Sequence, residues 1–176
     1  MPAMPRTAPD AVVIRLATVD DAPAMVTYLT ALFADPELDT VARRPPPTLE
    51  DEEDAVLRAQ EDGRAFYLLA LAGAEVVGMI EIFAWGRPEG RHCGRLGMSV
   101  AKRWRGKGLG RRLLEAAIEA TKPWPGFCRI ELEVAPWNTG AIALYESVGF
   151  KHEGRRVKAM NLRGTPEDVL MMGLVW

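Results

Sequence analysis

The chain has few cysteines, with only Cys93 and Cys128 among its 176 residues. Both thiols lie in apolar surroundings, and neither has neighbours at metal-ligand spacing. This pattern excludes a disulfide-stapled scaffold and a cysteine-rich metal site. It also makes either cysteine a poor candidate for a nucleophile. The sequence therefore predicts two buried thiols in a reducing compartment, and it predicts no bound metal.

Long apolar runs and a strong excess of either charge are also missing. No hydrophobic segment approaches the ~20 residues needed to cross a bilayer, and the opening MPAMPRTAPD lacks the apolar stretch of a signal peptide. A formal net charge of −2 argues against a general nucleic-acid or membrane-surface binder. We therefore expect a cytoplasmic protein with a disordered tail over 1–11 and one domain over 12–176.

Hydrophobic periodicity and turn residues divide the chain into strands and helices in the order β-α-α-β-β-β-α-β-α-β-β. Strands are expected at 11–16, 93–100, 128–134, 150–160 and 168–175. Two further strands are expected within 65–85, joined by a tight turn at Ala72–Ala74. The helices are expected at 18–33, after Thr48, from 109 and at 138–148. Gly94 and Gly97 are candidate bulges in the strand 93–100. The order predicts one mixed sheet flanked by helices.

The stretch RWRGKGLGRRLL (103–114) places three glycines at alternate positions before a helix. Its spacing fits neither the P-loop nor the Rossmann fingerprint. What remains is R-x-x-G-x-G over 105–110 between a strand and a helix, where bare N–H groups and the helix dipole favour an anion. Six cations surround these glycines with no acid between them: Lys102, Arg103, Arg105, Lys107, Arg111 and Arg112. The stretch predicts a pyrophosphate site.

With a second, downstream segment, this stretch resembles the GNAT superfamily of N-acetyltransferases. The first segment is LGMSVAKRWRGKGLGRRLL (96–114), and the second is EVAPWNTGAIALYESVGFKHEG (133–154), which follows the pattern N-x-x-A-x-x-x-Y-x-x-x-G-F. The resemblance covers about residues 12–175. It implies an α+β (mixed α/β) single domain, with a mostly antiparallel sheet of about seven strands and about four flanking helices. Two parallel central strands of that sheet are expected to splay apart.

The resemblance also implies a co-substrate, acetyl-CoA, and residues that hold it. The pantetheine arm would pair with the backbone of Met98 and Val100. Asn138 would hydrogen-bond the pantetheine or its neighbouring backbone, and Tyr145 would stand near the thioester sulfur. The pyrophosphate would be held by the stretch from Arg105 to Gly110 and by the residue after it, namely by Arg105, Gly106, Lys107, Gly108, Gly110 and Arg111.

Amine acetylation by direct attack on a thioester needs a base, an oxyanion donor and a proton for the leaving thiolate. A backbone N–H of Met98 or Val100 is a candidate oxyanion donor, and Tyr145 is the candidate general acid. The candidate bases are His92, whose ordinary pKa of ~6.5 suits neutral pH, and Glu81, which alternates with two isoleucines. Glu133 is a third candidate base, ranked after these two. The residues alone do not choose among the three.

These observations predict an N-acetyltransferase that moves an acetyl group from acetyl-CoA to a primary amine. The expected acceptor is a small molecule, such as an amino acid, a polyamine, a drug or an antibiotic. One alternative is a protein N-terminus or lysine as acceptor, and another is a non-catalytic acyl-CoA sensor. A homodimer is suggested only by the family likeness. The acidic stretch 35–62 is typical of a solvated helix face.

Overall fold

The computed structural model describes residues 12–35, 45–162 and 164–176, which form one seven-stranded sheet with helices on both faces. The predicted tail 1–11 lies outside the described residues. The strands are β1 (Val12–Leu16), β2 (Ala65–Ala72), β3 (Glu75–Ala84), β4 (Cys93–Val100), β5 (Arg129–Val134), β6 (Lys151–Leu162) and β7 (Thr165–Val175). The helices are α1 (Ala22–Ala34), α2 (Leu49–Asp62), α3 (Leu109–Thr121) and α4 (Thr139–Ser147).

The strands lie in the order β1-β2-β3-β4-β5-β7-β6. Every neighbouring pair is antiparallel except β4 and β5, which are parallel at the centre of the sheet. This arrangement confirms the predicted fold class and the predicted order of elements. The parallel pair is where α3 makes its crossover, because parallel neighbours cannot be joined by a tight turn.

Alternating side chains place the two pairs of helices on opposite faces of the sheet. Ile80 and Ile82 of β3 point to the face covered by α3 and α4, where Leu113 and Tyr145 share their core cluster. Met79 precedes Ile80 in the strand, so its side chain points to the other face of the sheet, where α1 and α2 pack. The sheet is therefore covered by helices on both faces over β2 and β3, whose residues are mostly buried.

Local signals in the sequence determine where the first two helices begin. Thr48 caps α2 as predicted, since its hydroxyl accepts a hydrogen bond from the backbone N–H of Asp51 at 3.1 Å. The first helix begins later than expected, because Val19–Asp21 forms a separate 3-10 turn. There the Asp21 carboxylate accepts from the Thr18 backbone N–H at 2.8 Å and pairs with Arg15 at 2.7 Å.

The predicted bulges at Gly94 and Gly97 are wrong. The register of β3 against β4 runs without a shift from Gly78 opposite Val100 to Ala84 opposite Gly94. Gly94 is small for a packing reason, because a Cβ there would lie 2.9 Å from side-chain atoms of both Ile82 and Phe127. Within 12–35, 45–162 and 164–176, no helix combines the length and apolar character that crossing a bilayer requires.

Candidate active site

The central strands pair over only part of their length. β4 and β5 are in register at three positions, from Cys93 opposite Arg129 to Arg95 opposite Glu131. Beyond Arg95, β4 continues to Val100 without a partner on that side. The strands therefore splay as the resemblance implied, and we call the opening between 96–100 and 132–134 the gap.

The backbone of β4 presents polar groups to this gap. Ala101 donates its N–H to the Val77 carbonyl at 2.9 Å, so Ala101 faces β3. Because successive residues of a strand direct their N–H and C=O groups to opposite neighbours, Leu96, Met98 and Val100 face the gap. An extended chain lying in the gap would therefore pair with Met98 and Val100 as an added strand would.

The gap leads to the start of α3, where the glycine-rich stretch lies. Gly106 and Gly108 have φ values of +69° and +80°, a backbone conformation that residues other than glycine rarely adopt. The first helical hydrogen bond runs from the Arg112 N–H to the Gly108 carbonyl at 3.2 Å. The N–H groups of residues 109–111 therefore have no acceptor within the helix, which is the arrangement that binds phosphate.

Gly110 lets this helix start lie close to the end of β4. A Cβ at Gly110 would sit 3.1 Å from Cδ2 of Leu144 in α4, 3.7 Å from Cε of Met98 and 4.0 Å from Cγ2 of Val100. The first turn of α3, the middle of α4 and the end of β4 thus meet at one place. A diphosphate at the helix start and a chain in the gap would be continuous.

The cations around the glycines make local contacts that hold this loop. Arg105 Nε donates to the Val100 carbonyl at 2.8 Å, which occupies one acceptor at the mouth of the gap. Other contacts are Lys107 to the Arg103 carbonyl (2.7 Å), Arg111 to Ser147 Oγ (2.7 Å) and to Glu115 (3.3 Å), Arg112 to the Val12 carbonyl (2.9 Å), and Arg103 to Glu75. The backbone N–H groups, more than these side chains, are the ready anion donors.

Asn138 and Tyr145 lie at the start and in the middle of α4. Asn138 caps the helix, because its Oδ1 accepts from the Ala141 N–H at 3.2 Å. Tyr145 is 7% exposed and packs against Phe150, with ring centroids 5.7 Å apart. Burial raises the pKa of Tyr145 to about 12, so the phenol is protonated at neutral pH. Tyr145 belongs to the core on the α3/α4 face of the sheet.

Glu81 lies on the opposite face, beside the first residues of the gap. It is directly opposite Gly97 in the register of β3 and β4. A Cβ at Gly97 would lie 2.7 Å from Oε1 of Glu81, so the carboxylate covers the β4 backbone at Gly97. The missing side chain at Gly97 is what gives the carboxylate this position.

The structure does not bring His92 to the gap. His92 is exposed in the turn before β4, and its carbonyl accepts from the N–H groups of Cys128 and Arg129 at 3.0 and 3.2 Å. These bonds place it at the closed end of the β4–β5 pair. At ~3.3 Å per residue it is roughly 20 Å from Met98.

Sequence reasoning missed two sets of contacts on the α1/α2 face, one made by Tyr28 and one made by the candidate base Glu133. The Tyr28 hydroxyl of α1 donates to Ser99 Oγ of β4 at 2.9 Å, and burial raises the pKa of Tyr28 to about 12. Glu133 of β5 lies between two arginines, Arg95 and Arg156. The odd-numbered positions of β4 and β5 signal a shared face, but only the strand register shows which of them meet.

The cysteines are free thiols, with Cys93 buried and Cys128 half-buried. Burial, reinforced by the nearby Glu131, raises the pKa of Cys93 to about 11, which leaves almost no thiolate at neutral pH. In the part of the chain that the structure describes, no three side chains of the metal-ligating types cluster to hold an ion.

A family model described as "Acetyltransferase (GNAT) family" matches residues 24–150. Two curated relatives come from Escherichia coli K12. The chain is 33% identical over 108 residues to the L-amino acid N-acetyltransferase AaaT, and the aligned residues cover 61% of this chain and 67% of AaaT. It is 31% identical over 150 residues to the uncharacterized N-acetyltransferase YjgM, and the aligned residues cover 85% of this chain and 87% of YjgM.

The fold is shared with a solved acetyltransferase of the GNAT family from Streptococcus pneumoniae. That structure superposes with a TM-score of 0.87 at 29% identity, over 94% of this chain and 99% of the other.

Proposed function

The chain belongs to the acetyltransferase (GNAT) family and is an acetyl-CoA-dependent acyltransferase, and we propose that its acceptor is the primary amine of a small molecule. The amine nitrogen attacks the thioester carbonyl directly while both substrates are bound. A bond forms between the amine nitrogen and the acetyl carbon as the C–S bond of the thioester breaks, so the products are the acetamide and free CoA. No acyl-enzyme is formed.

The observation that carries the acetyl transfer is the continuity of the gap with the start of α3, and the similarity to the L-amino acid N-acetyltransferase AaaT supports a small-molecule acceptor. Gap-facing N–H groups of Met98 and Val100 suit an extended pantetheine arm, and the N–H groups of 109–111 suit its diphosphate. Gap and helix start both fit acetyl-CoA, because one offers strand-like pairing and the other offers anion donors. The reacting carbonyl then lies near Gly97, within reach of both faces of the sheet.

We assign the general base to Glu81 rather than to His92. A free alkylamine has a pKa near ~10.4, so its proton must be removed before attack at neutral pH. Glu81 covers the β4 backbone at the gap, whereas His92 lies at the closed end of the strand pair. A water between the carboxylate and the ammonium group allows proton removal without direct contact.

Tyr145 serves the leaving thiolate from the other face of the sheet. With a pKa of about 12, its proton is held more tightly than that of an alkyl thiol (~8.5), so complete transfer is roughly 5 kcal/mol uphill. The greater part of its contribution is therefore a hydrogen bond to the sulfur as negative charge develops there. Asn138 supports Tyr145 indirectly by capping α4.

Release of free thiol from acetyl-CoA tests the proposal, measured against a panel of L-amino acids, polyamines, aminoglycosides and short peptides. Turnover with small amines supports it. Turnover only with peptides or proteins would favour the alternative of a protein N-terminus or lysine, and tight acetyl-CoA binding without any turnover would favour a sensor. A pH–rate profile that loses its acidic limb in Glu81→Gln and keeps it in His92→Ala supports Glu81 as the base.

A further inference from the structure

The buried hydroxyl of Tyr28 joins α1 to the end of β4, and the reaction as proposed gives it no part. Tyr28 is 7% exposed, and its hydroxyl donates to Ser99 Oγ at 2.9 Å. Because burial raises the pKa of Tyr28 to about 12, the phenol keeps its proton at neutral pH and stays the donor. The Ser99 hydroxyl is therefore held in place from one side.

The Ser99 hydroxyl keeps bonding capacity for a ligand. A serine hydroxyl has one proton and two acceptor lone pairs, and the bond from Tyr28 uses one of the lone pairs. Ser99 is half-buried and stands between Met98 and Val100, whose backbones face the gap. Its oxygen can thus accept a second hydrogen bond from a molecule at the edge of the gap.

Ser99 is the neighbour of the Glu81 carboxylate along one continuously paired strand. Gly97 and Ser99 share a face of β4, and they lie opposite Glu81 and Met79 of β3. Oε1 of Glu81 lies 2.7 Å from the place of a Cβ on Gly97, and alternate residues of a strand are roughly 6.6 Å apart. A nitrogen that makes two hydrogen bonds of ~2.9 Å spans a separation of about this size.

The acceptor nitrogen reaches the gap from the face that carries Ser99. The proposed reaction brings this nitrogen to the thioester carbonyl near Gly97. On the α3/α4 face the sheet beside the gap is covered by buried side chains, among them Leu132 and Tyr145. An amine therefore approaches from the α1/α2 face, where it meets Glu81 on one side and Ser99 on the other.

We propose that Ser99 Oγ accepts a hydrogen bond from the acceptor nitrogen while Glu81 removes its proton, and that Tyr28 is the positioning residue that fixes Ser99. A primary ammonium group has three N–H bonds. One proton passes to Glu81, and a second is lost as the amide forms and balances the proton that the leaving thiolate gains. Ser99 holds the third N–H, which stays in the amide, so the lone pair faces the carbonyl carbon. The inference rests on the proposed acetyl transfer and adds residues that orient its nucleophile.

Kinetics of Ser99 and Tyr28 variants test the proposal, with the amine of the panel that the wild-type enzyme acetylates fastest. Ser99→Ala should lower kcat/KM for that amine roughly 10-fold or more, the size of a lost hydrogen bond to a charged partner. The Kd of acetyl-CoA should stay within about 2-fold. Ser99→Thr keeps the oxygen and suits a strand, so it should retain most of the activity. Tyr28→Phe should lower kcat/KM in the wild-type background and add no further loss to Ser99→Ala.

Thr27→Ala is the matched control. It removes a hydroxyl from the adjacent position of α1, where Thr27 is exposed and bonds the Pro23 carbonyl, and it should leave kcat/KM unchanged. Wild-type kcat/KM in Ser99→Ala would overturn the proposal, as would an equal loss of acetyl-CoA affinity, which would indicate that the hydroxyl only supports the strand. If the wild-type enzyme releases thiol with no amine of any class, the proposed acetyl transfer fails and this inference falls with it; if it turns over and Ser99→Ala matches it, only this inference fails.

Discussion

Adding one methyl group at Gly97 should separate the activity of this enzyme from its stability. The new Cβ would lie 2.7 Å from Oε1 of Glu81, 3.2 Å from its Cγ and 3.3 Å from its Cδ. Ordinary contacts of this kind begin near ~3.5 Å, so the carboxylate must move by roughly 1 Å. Gly97 has no positive φ, so alanine fits its backbone and reduces the freedom of the unfolded chain.

A displacement of this size costs up to about 100-fold when the displaced group takes part in catalysis. We therefore expect Gly97→Ala to lower kcat roughly 10- to 100-fold, while the free energy of unfolding stays equal or rises by up to about 1 kcal/mol. Thiol release measures kcat, and urea unfolding measures stability. Gly86→Ala is the control, because a methyl there meets no atom within 4 Å.

A second substitution distinguishes a displaced base from a blocked site. Glu81→Asp shortens the side chain by one methylene, so the double variant Gly97→Ala/Glu81→Asp relieves the contact while the new methyl stays in place. If the base is displaced in Gly97→Ala, the double variant should recover part of the lost kcat. A Gly97→Ala enzyme with wild-type kcat and an unchanged pH–rate profile refutes the reasoning.

Three further substitutions test other parts of the structure. Tyr145→Phe should lower kcat roughly 10- to 100-fold and leave the Kd of acetyl-CoA, measured by calorimetry, within about 2-fold; an unchanged kcat would remove Tyr145 from the reaction. Gly108→Val forces a β-branched residue to φ +80° at the anion site and should raise that Kd at least ~10-fold, whereas Gly63→Val, at φ +64° away from it, should destabilise the protein without changing Kd. Arg15 holds the pKa of Asp21 at about 2, below its ordinary 3.8, so Asp21→Asn should destabilise the protein at pH 7 in urea unfolding. That deficit should shrink as the pH falls from 3.8 through 2; a constant deficit would exclude the ion pair as its cause.

The sequence was sufficient to predict the order of elements, because that order depends on local patterns. The donor site stays a prediction that rests on a local pattern of the same kind. Alternation marks strands, Thr48 marks a helix start, and alternate glycines at 106–110 mark exposed N–H groups. The mistakes concern contacts between distant segments. Glycines within strands are typical of bulges, but at Gly94 and Gly97 a side chain is missing because side chains of β3 and Phe127 occupy the space.

The same limit explains the candidate base and the ion pairs of Glu133 with Arg95 and Arg156. Parity along one strand suggested His92, whereas the position of that strand in the sheet puts His92 at the closed end. Arg95, Glu133 and Arg156 come from three strands and lie up to about sixty residues apart in the sequence. Their meeting depends on the register of β4, β5, β7 and β6, which no local pattern encodes. The cations around the glycine-rich stretch, in contrast, make local contacts that hold that loop.

With acetyl-CoA bound in the gap as proposed, the short pairing of β4 with β5 would also make the donor part of the protein's architecture. Three register positions join the β1–β4 half of the sheet to the β5–β7 half, so a chain that pairs along the gap completes a seam between them. Saturation at 100 times Kd should add about 2.7 kcal/mol to the free energy of unfolding. The gain should be concentrated in slower amide hydrogen exchange along 96–100 and 132–134. Free CoA shares the pantetheine arm and diphosphate, so the product should stiffen the same seam, and its departure requires the seam to reopen in every cycle.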